Sequence, residues 1–262
     1  MDLVPLLPLL EPFVVLVVLA MARAGGLLMA LPHTSNKSVP RMVKVVTVVG
    51  LSIALAGISG PPALGRLDVW TLAFAIIGEL VVGLALGFVV QISLSAVRIA
   101  GEVIGVEIGL SFSAVADPMN PGASTSTASL LGLLGVQLVF ALGLDRMLLR
   151  GLGYSVRAVP LGHGQLHGGS VELMSTQFGT ALQVAIHLAM PVMAAVLAVK
   201  LALAVLARFV PKLQVFALAF GVALIVGLQA LRAAMPSLAQ AIAAHLGQAL
   251  ELFDAMIMSL KI

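Results

Sequence analysis

The sequence predicts an all-α integral membrane protein of about seven to eight helical segments, many of them bent or paired as hairpins. Composition carries half of that reading: 61% of the 262 residues are hydrophobic and only 10% are charged. The mean hydropathy of +1.16 lies far outside the range of a soluble domain. Interruptions carry the other half. Arg23, Glu79, Gln91, His187, Pro191 and Lys200 fall inside apolar runs, and polar groups are too costly to leave facing lipid. Bent helices that bury these groups against each other or against partner subunits are therefore expected.

In chain order the apolar runs cover residues 13–31, 45–58, 69–92, 99–116, 128–144, 178–206 and 213–231, with an amphipathic tail at 238–260. A simple crossing needs about 20 apolar residues, so the second run is short for one. Asp2 and Glu11 precede the first run without a base, so the positively charged start of a secretory signal is missing. The loop of residues 33–44 carries Lys37, Arg41 and Lys44 and no acid, which places it in the cytoplasm and the N-terminus outside. Arg208 and Lys212 place the turn near Pro211 on the cytoplasmic side too. Residues 154–170, rich in glycine and containing Pro160, read as a loop, beside a basic flank of Arg146, Arg150 and Arg157. No repeat and no boundary splits off a soluble part, so a single membrane domain over residues 1–262 is expected.

The net charge of +3 and pI near 9.7 do not point to nucleic acid, because the bases sit in short loops where they set topology. The absence of cysteine removes disulfide and thiol chemistry. His163 and His167 are four apart, but the glycines around them deny the helix that would align two metal ligands. Ser124 with a distant His187 or His245 has the parts of an intramembrane protease dyad. Residues 124–127 follow a Pro-Gly turn, however, and more simply start and cap the next helix. With no phosphate loop or dinucleotide fingerprint either, neither enzymatic activity nor a metal or other cofactor is expected.

Residues 101–118, GEVIGVEIGLSFSAVADP, stand apart. Gly101, Gly105 and Gly109 recur every fourth residue, making a smooth helical strip that another backbone can approach closely, and subunit packing is expected there. Asp117-Pro118 ends the helix. The loop around it holds Leu110, Phe112, Val115 and Met119 beside Asp117 and Pro118. Irregular backbone at membrane depth survives only in protein or along a cavity. Glu79, Glu102, Glu107 and Lys200 form a set of intramembrane charges, readable as an ion path or as structural anchors. Lys200 needs an acid, such as Glu79 or one from a partner chain.

Glu79 with Gly83 and Gly87, the 101–118 segment, Ser155 with Pro160-Leu161-Gly162, Pro191, and ARFVPKLQVFALAFGVALIVGLQAL resemble, in order and spacing, the flagellar biosynthesis protein FliR family and its SctT counterparts in virulence type III secretion. The resemblance implies a noncatalytic core subunit of the type III protein export gate, with a FliP-like part at about residues 1–175 and a FliQ-like part at about 176–262. Its implied partners are FliP-type and FliQ-type subunits, an FlhB-type subunit, and unfolded export substrates in transit. The implied place is the bacterial inner membrane, at the base of a flagellar basal body or secretion apparatus. Residues 109–122 match the segment that plugs the channel. Lys200 departs from the family pattern, which commonly has an acid there. A flagellar role is favoured over a virulence one, and the rival of another class is a stand-alone secondary transporter using the intramembrane Glu and Lys residues.

Overall fold

The computed structural model of the chain describes residues 7–31, 40–60, 69–110, 124–165, 168–209 and 215–260. Among these residues the fold is all-α, with seven helices: α1 Leu7–Ala30, α2 Arg41–Ile58, α3 Val69–Ile108, α4 Ser126–Ala141, α5 Leu144–Ala158, α6 Gly168–Phe209 and α7 Val215–Ser259. The multi-span helical class read from composition is what the chain adopts.

The helices differ from the apolar runs in ways that have local causes. The third and fourth runs fuse into α3, 40 residues long, because no proline interrupts residues 69–108 and serines and an arginine are compatible with helix. α5 lies where hydropathy shows no run. Leu144, Leu148, Leu152 and Val156 recur every fourth residue and are buried, while the arginines occupy another side. α2 reaches back to Arg41, just after Pro40, and so gains a length of 18 residues. The amphipathic tail is continuous with the run before it, forming the 45-residue α7 with Pro236 inside. The loop expected at 154–170 shrinks, since α5 extends to Ala158 and α6 starts at Gly168.

Among the described residues, five helices are long and apolar enough to cross a membrane: α1 from Pro12, α2, α3, α6, and α7 from Ala219. At 1.5 Å per residue, α3, α6 and α7 run for roughly 60 Å or more, about twice the hydrocarbon thickness of a bilayer. Half of the apolar stretch of α3 is buried inside the chain, but only 22% of that of α6 and 28% of that of α7.

The chain divides into two compact units. One comprises Met1–Ile92, Leu144–Gln177 and Gln248–Ile262; its core includes the fully buried Leu19, Leu27, Leu86, Leu152 and Phe253. In it α1 and α2 lie side by side. The other comprises Ser93–Gly143 and Phe178–Gly247, with Ile104, Ile108, Leu131, Ile242 and Leu246 at its centre.

Candidate functional site

In the first unit, α1 and the N-terminal part of α3 meet backbone to backbone. Gly26 lies so close to α3 that a β-carbon would stand 2.6 Å from the Leu80 carbonyl oxygen, and one on Gly83 would overlap the Arg23 carbonyl. That approach brings two charges together. Arg23 Nε donates to Glu79 Oε2 at 2.5 Å, and both side chains are fully buried. Arg23 Nη1 also donates to the Val159 carbonyl oxygen at 3.0 Å and reaches Ser155 Oγ at 3.5 Å. The other Glu79 oxygen accepts the Gly162 backbone N–H at 2.9 Å. Gly78 lies against the Gly164 carbonyl with no room for a side chain. One ion pair thus fastens α1, α3, the end of α5 and residues 159–164 together. Within this cluster Arg23 Nη2 is buried without a partner, as Gln91 Oε1 and His245 Nε2 are elsewhere among the described residues.

In the second unit, the C-terminal part of α3 and the start of α4 form a tight helical hairpin. Thr125 is the N-cap of α4, its hydroxyl accepting from the Ala128 N–H at 3.2 Å, as the Ser/Thr run after a Pro-Gly turn suggests. The Glu102 carboxylate accepts the Thr125 N–H at 3.1 Å and 3.3 Å, placing negative charge at the positive end of α4. Thr127 Oγ1 donates to the Gly101 carbonyl at 2.8 Å. α3 ends at Gly109, whose φ is +96°. The Gly109 N–H bonds to the Val106 carbonyl and the Leu110 N–H to the Gly105 carbonyl, a Schellman termination. Elsewhere in the unit, Lys200 Nζ donates to Glu107 Oε1 at 2.9 Å, with the side chains 43% and 25% exposed.

At Gly101 and Gly105 the glycine strip packs against residues 125–128 of the chain itself. A β-carbon on Gly101 would stand 2.5 Å from Ala128 Cα, and one on Gly105 2.6 Å from Thr125 Oγ1. Gly109 ends the helix. The acid beside Lys200 is Glu107, while Glu79 belongs to Arg23. Ser124 Oγ is 3.1 Å from Ser129 Oγ, the pairing of a helix start. Of the loop residues, Leu110 closes α3; Phe112, Val115, Asp117, Pro118 and Met119 lie outside the described residues, as does His167. Sequence reading missed the pairing of Arg23 with Glu79 and the use of Glu102 as a cap. The available signal was a lone arginine in the otherwise uncharged run of residues 13–31, which demands a buried acid somewhere.

Charges paired or used as caps within long apolar helices define a multi-span membrane scaffold. The chain belongs to the family of bacterial export proteins, family 1, whose pattern it matches over residues 14–249. It is 30% identical to the flagellar biosynthetic protein FliR of Escherichia coli K12 over 83% of each chain. To that of Caulobacter vibrioides it is 26% identical over 84% of this chain and 88% of the relative. It is also 32% identical to the Yop proteins translocation protein T of Yersinia pestis, over 59% of this chain and 60% of that protein. Membership makes it a noncatalytic component of a bacterial export apparatus, in the inner membrane at the base of a flagellar basal body or related secretion apparatus.

Proposed function

We propose that the chain is a core subunit of the flagellar type III export gate, assembling with FliP-type and FliQ-type subunits, next to an FlhB-type subunit, into a channel for unfolded proteins. The observation that carries this reading is similarity to flagellar FliR proteins along more than four fifths of both chains. The sparsely buried apolar stretches of α6 and α7 support it, because such surface calls for neighbours as well as lipid. In this reading residues 1–175 are the FliP-like part and 176–262 the FliQ-like part. The loop that carries Leu110, Phe112, Val115, Asp117, Pro118 and Met119 is the resting plug of the channel. A short apolar loop seals by dewetting and is easily displaced by cargo. The hairpin of Gly101, Glu102, Thr125 and Thr127 supports that role by holding both stems of the loop together.

A virulence-type gate is the second reading, favoured by the 32% identity to the Yersinia protein. The transporter reading loses its support, since Glu79, Glu102 and Glu107 are all engaged within the chain.

The test is co-expression with FliP-type and FliQ-type subunits. A stable mixed complex is expected, and restored swimming in a flagellar FliR-deficient strain separates the flagellar from the virulence role. Deleting residues 111–116 from the assembled complex should raise its ion leak in planar bilayers. Absence of a mixed complex removes the gate reading; an unchanged leak in an intact complex removes the plug.

A further inference from the structure

α5 carries Arg146, Arg150 and Arg157, all exposed. At 100° per residue they fall within about 40° on the helical wheel and stretch for about 16 Å along the axis. None of them makes an ion pair or hydrogen bond among the described residues. The acid of the helix, Asp145, is one residue before the first arginine and so about 100° round from it. The opposite face, Leu144, Leu148, Leu152 and Val156, is buried in the first unit, so the arginines cannot turn inward. Beside the stripe, Met147, Leu149 and Tyr154 are exposed as well. The charges begin directly after the uncharged apolar α4 and the turn at Gly143, whose φ is +67°.

We infer that α5 is an interfacial helix whose Arg146, Arg150 and Arg157 stripe binds the phosphates of anionic phospholipids. Cations that begin where the apolar α4 ends, at a bend of 66° into α5, fit the headgroup level, and tyrosine is enriched at that level. An amphipathic helix in the interface plane presents basic residues to headgroups and apolar ones to the acyl boundary; here Met147, Leu149 and Tyr154 supply the apolar contact. A planar guanidinium offers two parallel donors to a phosphate, so a row of arginines spaced along the axis fits a row of headgroups better than one compact ligand. The charge complementarity is one-sided, because no acid shares the stripe. The inference is independent of the channel reading and needs only a membrane protein.

The experiment uses the full-length protein in zwitterionic detergent, titrated with phosphatidylglycerol and with phosphatidylcholine and read by native mass spectrometry. Wild type should bind phosphatidylglycerol preferentially, and the preference should fall as salt screens the charges. Replacing all three with glutamine (R146Q, R150Q and R157Q together) should weaken binding on the order of fivefold per arginine. Replacing all three with lysine should retain most of it, which separates lost charge from misfolding. The exposed Arg208→Gln is the control and should leave binding unchanged. Phosphatidylglycerol binding retained in the glutamine variant overturns the assignment. An equal loss in Arg208→Gln overturns it too, since net charge would then be the cause. So does a glutamine variant that keeps its lipid and loses a protein partner, because the stripe would then be a protein-docking face.

Discussion

Among the described residues two ion pairs join positions far apart in the chain, and burial gives them different weights. Arg23 and Glu79 are fully buried, so neither charge is solvated if the other is removed. Breaking such a pair from one side costs about 3–5 kcal/mol, while replacing both partners with apolar residues of similar volume is often neutral. Lys200 and Glu107 keep 43% and 25% exposure, so when one is removed the other can be reached by water or a neighbouring chain, and the pair weighs less than a fully buried one. Arg23→Ala and Glu79→Ala should therefore each lower the thermal midpoint of the purified protein sharply. Arg23→Met with Glu79→Leu should recover most of the loss, and Lys200→Ala should shift the midpoint little. Equal shifts for Arg23→Ala and Lys200→Ala would show that burial does not govern these pairs. Arg23→Lys should behave more like alanine than like wild type, because an ammonium cannot span Glu79, the Val159 carbonyl and Ser155 together.

At the scale of the element, what was legible and what was not follow from how far a signal reaches along the chain. The cap at Thr125 depends on residues three apart and could be read from the Ser/Thr run after a Pro-Gly turn. α5 was hidden because averaged hydropathy cancels Leu148 and Leu152 against Arg146 and Arg150; only their spacing reveals two faces. The glycine strip was legible as a site of close approach, but nothing local says what approaches; at Gly101 it is the backbone at Thr127 and Ala128, and at Gly105 the side chains of Thr125 and Thr127. Glycines elsewhere sort in the same way. Gly83 faces the Arg23 carbonyl with no space for a β-carbon, whereas Gly57 in α2 has open space around it. Gly83→Ala should force α1 and α3 apart and destabilise by about 1–3 kcal/mol, as overpacking does. Gly57→Ala should stabilise by about 0.5–1 kcal/mol through helix propensity. Thermal melts of the two variants moving in the same direction would contradict the close-approach account of Gly83.

At the scale of the whole molecule, the constraint is apolar surface that the chain does not cover. Less than a third of the apolar stretches of α6 and α7 is buried within the chain, and large side chains such as Phe178, Ile186, Leu197 and Val205 stand exposed along α6. From residue 178 to 205 the helix rises about 40 Å, more than the roughly 30 Å of hydrocarbon in a bilayer. Lipid alone therefore cannot cover the whole row if α6 stands upright, and the remainder calls for protein. The sequence could show that these residues are apolar, but not that the chain lacks the partners to bury them, because burial is a property of the assembly. The chain has no cysteine, so single cysteines at positions 178, 186, 197 and 205 report accessibility without background. In the protein expressed alone, a membrane-impermeant maleimide should label at least one end of the series. Co-expression with FliP-type and FliQ-type subunits should suppress that labelling. If labelling at both ends stays the same with partners present in a verified complex, α6 does not contribute a subunit interface, and tilt or the bend available at Pro191 must bring its whole apolar length into lipid.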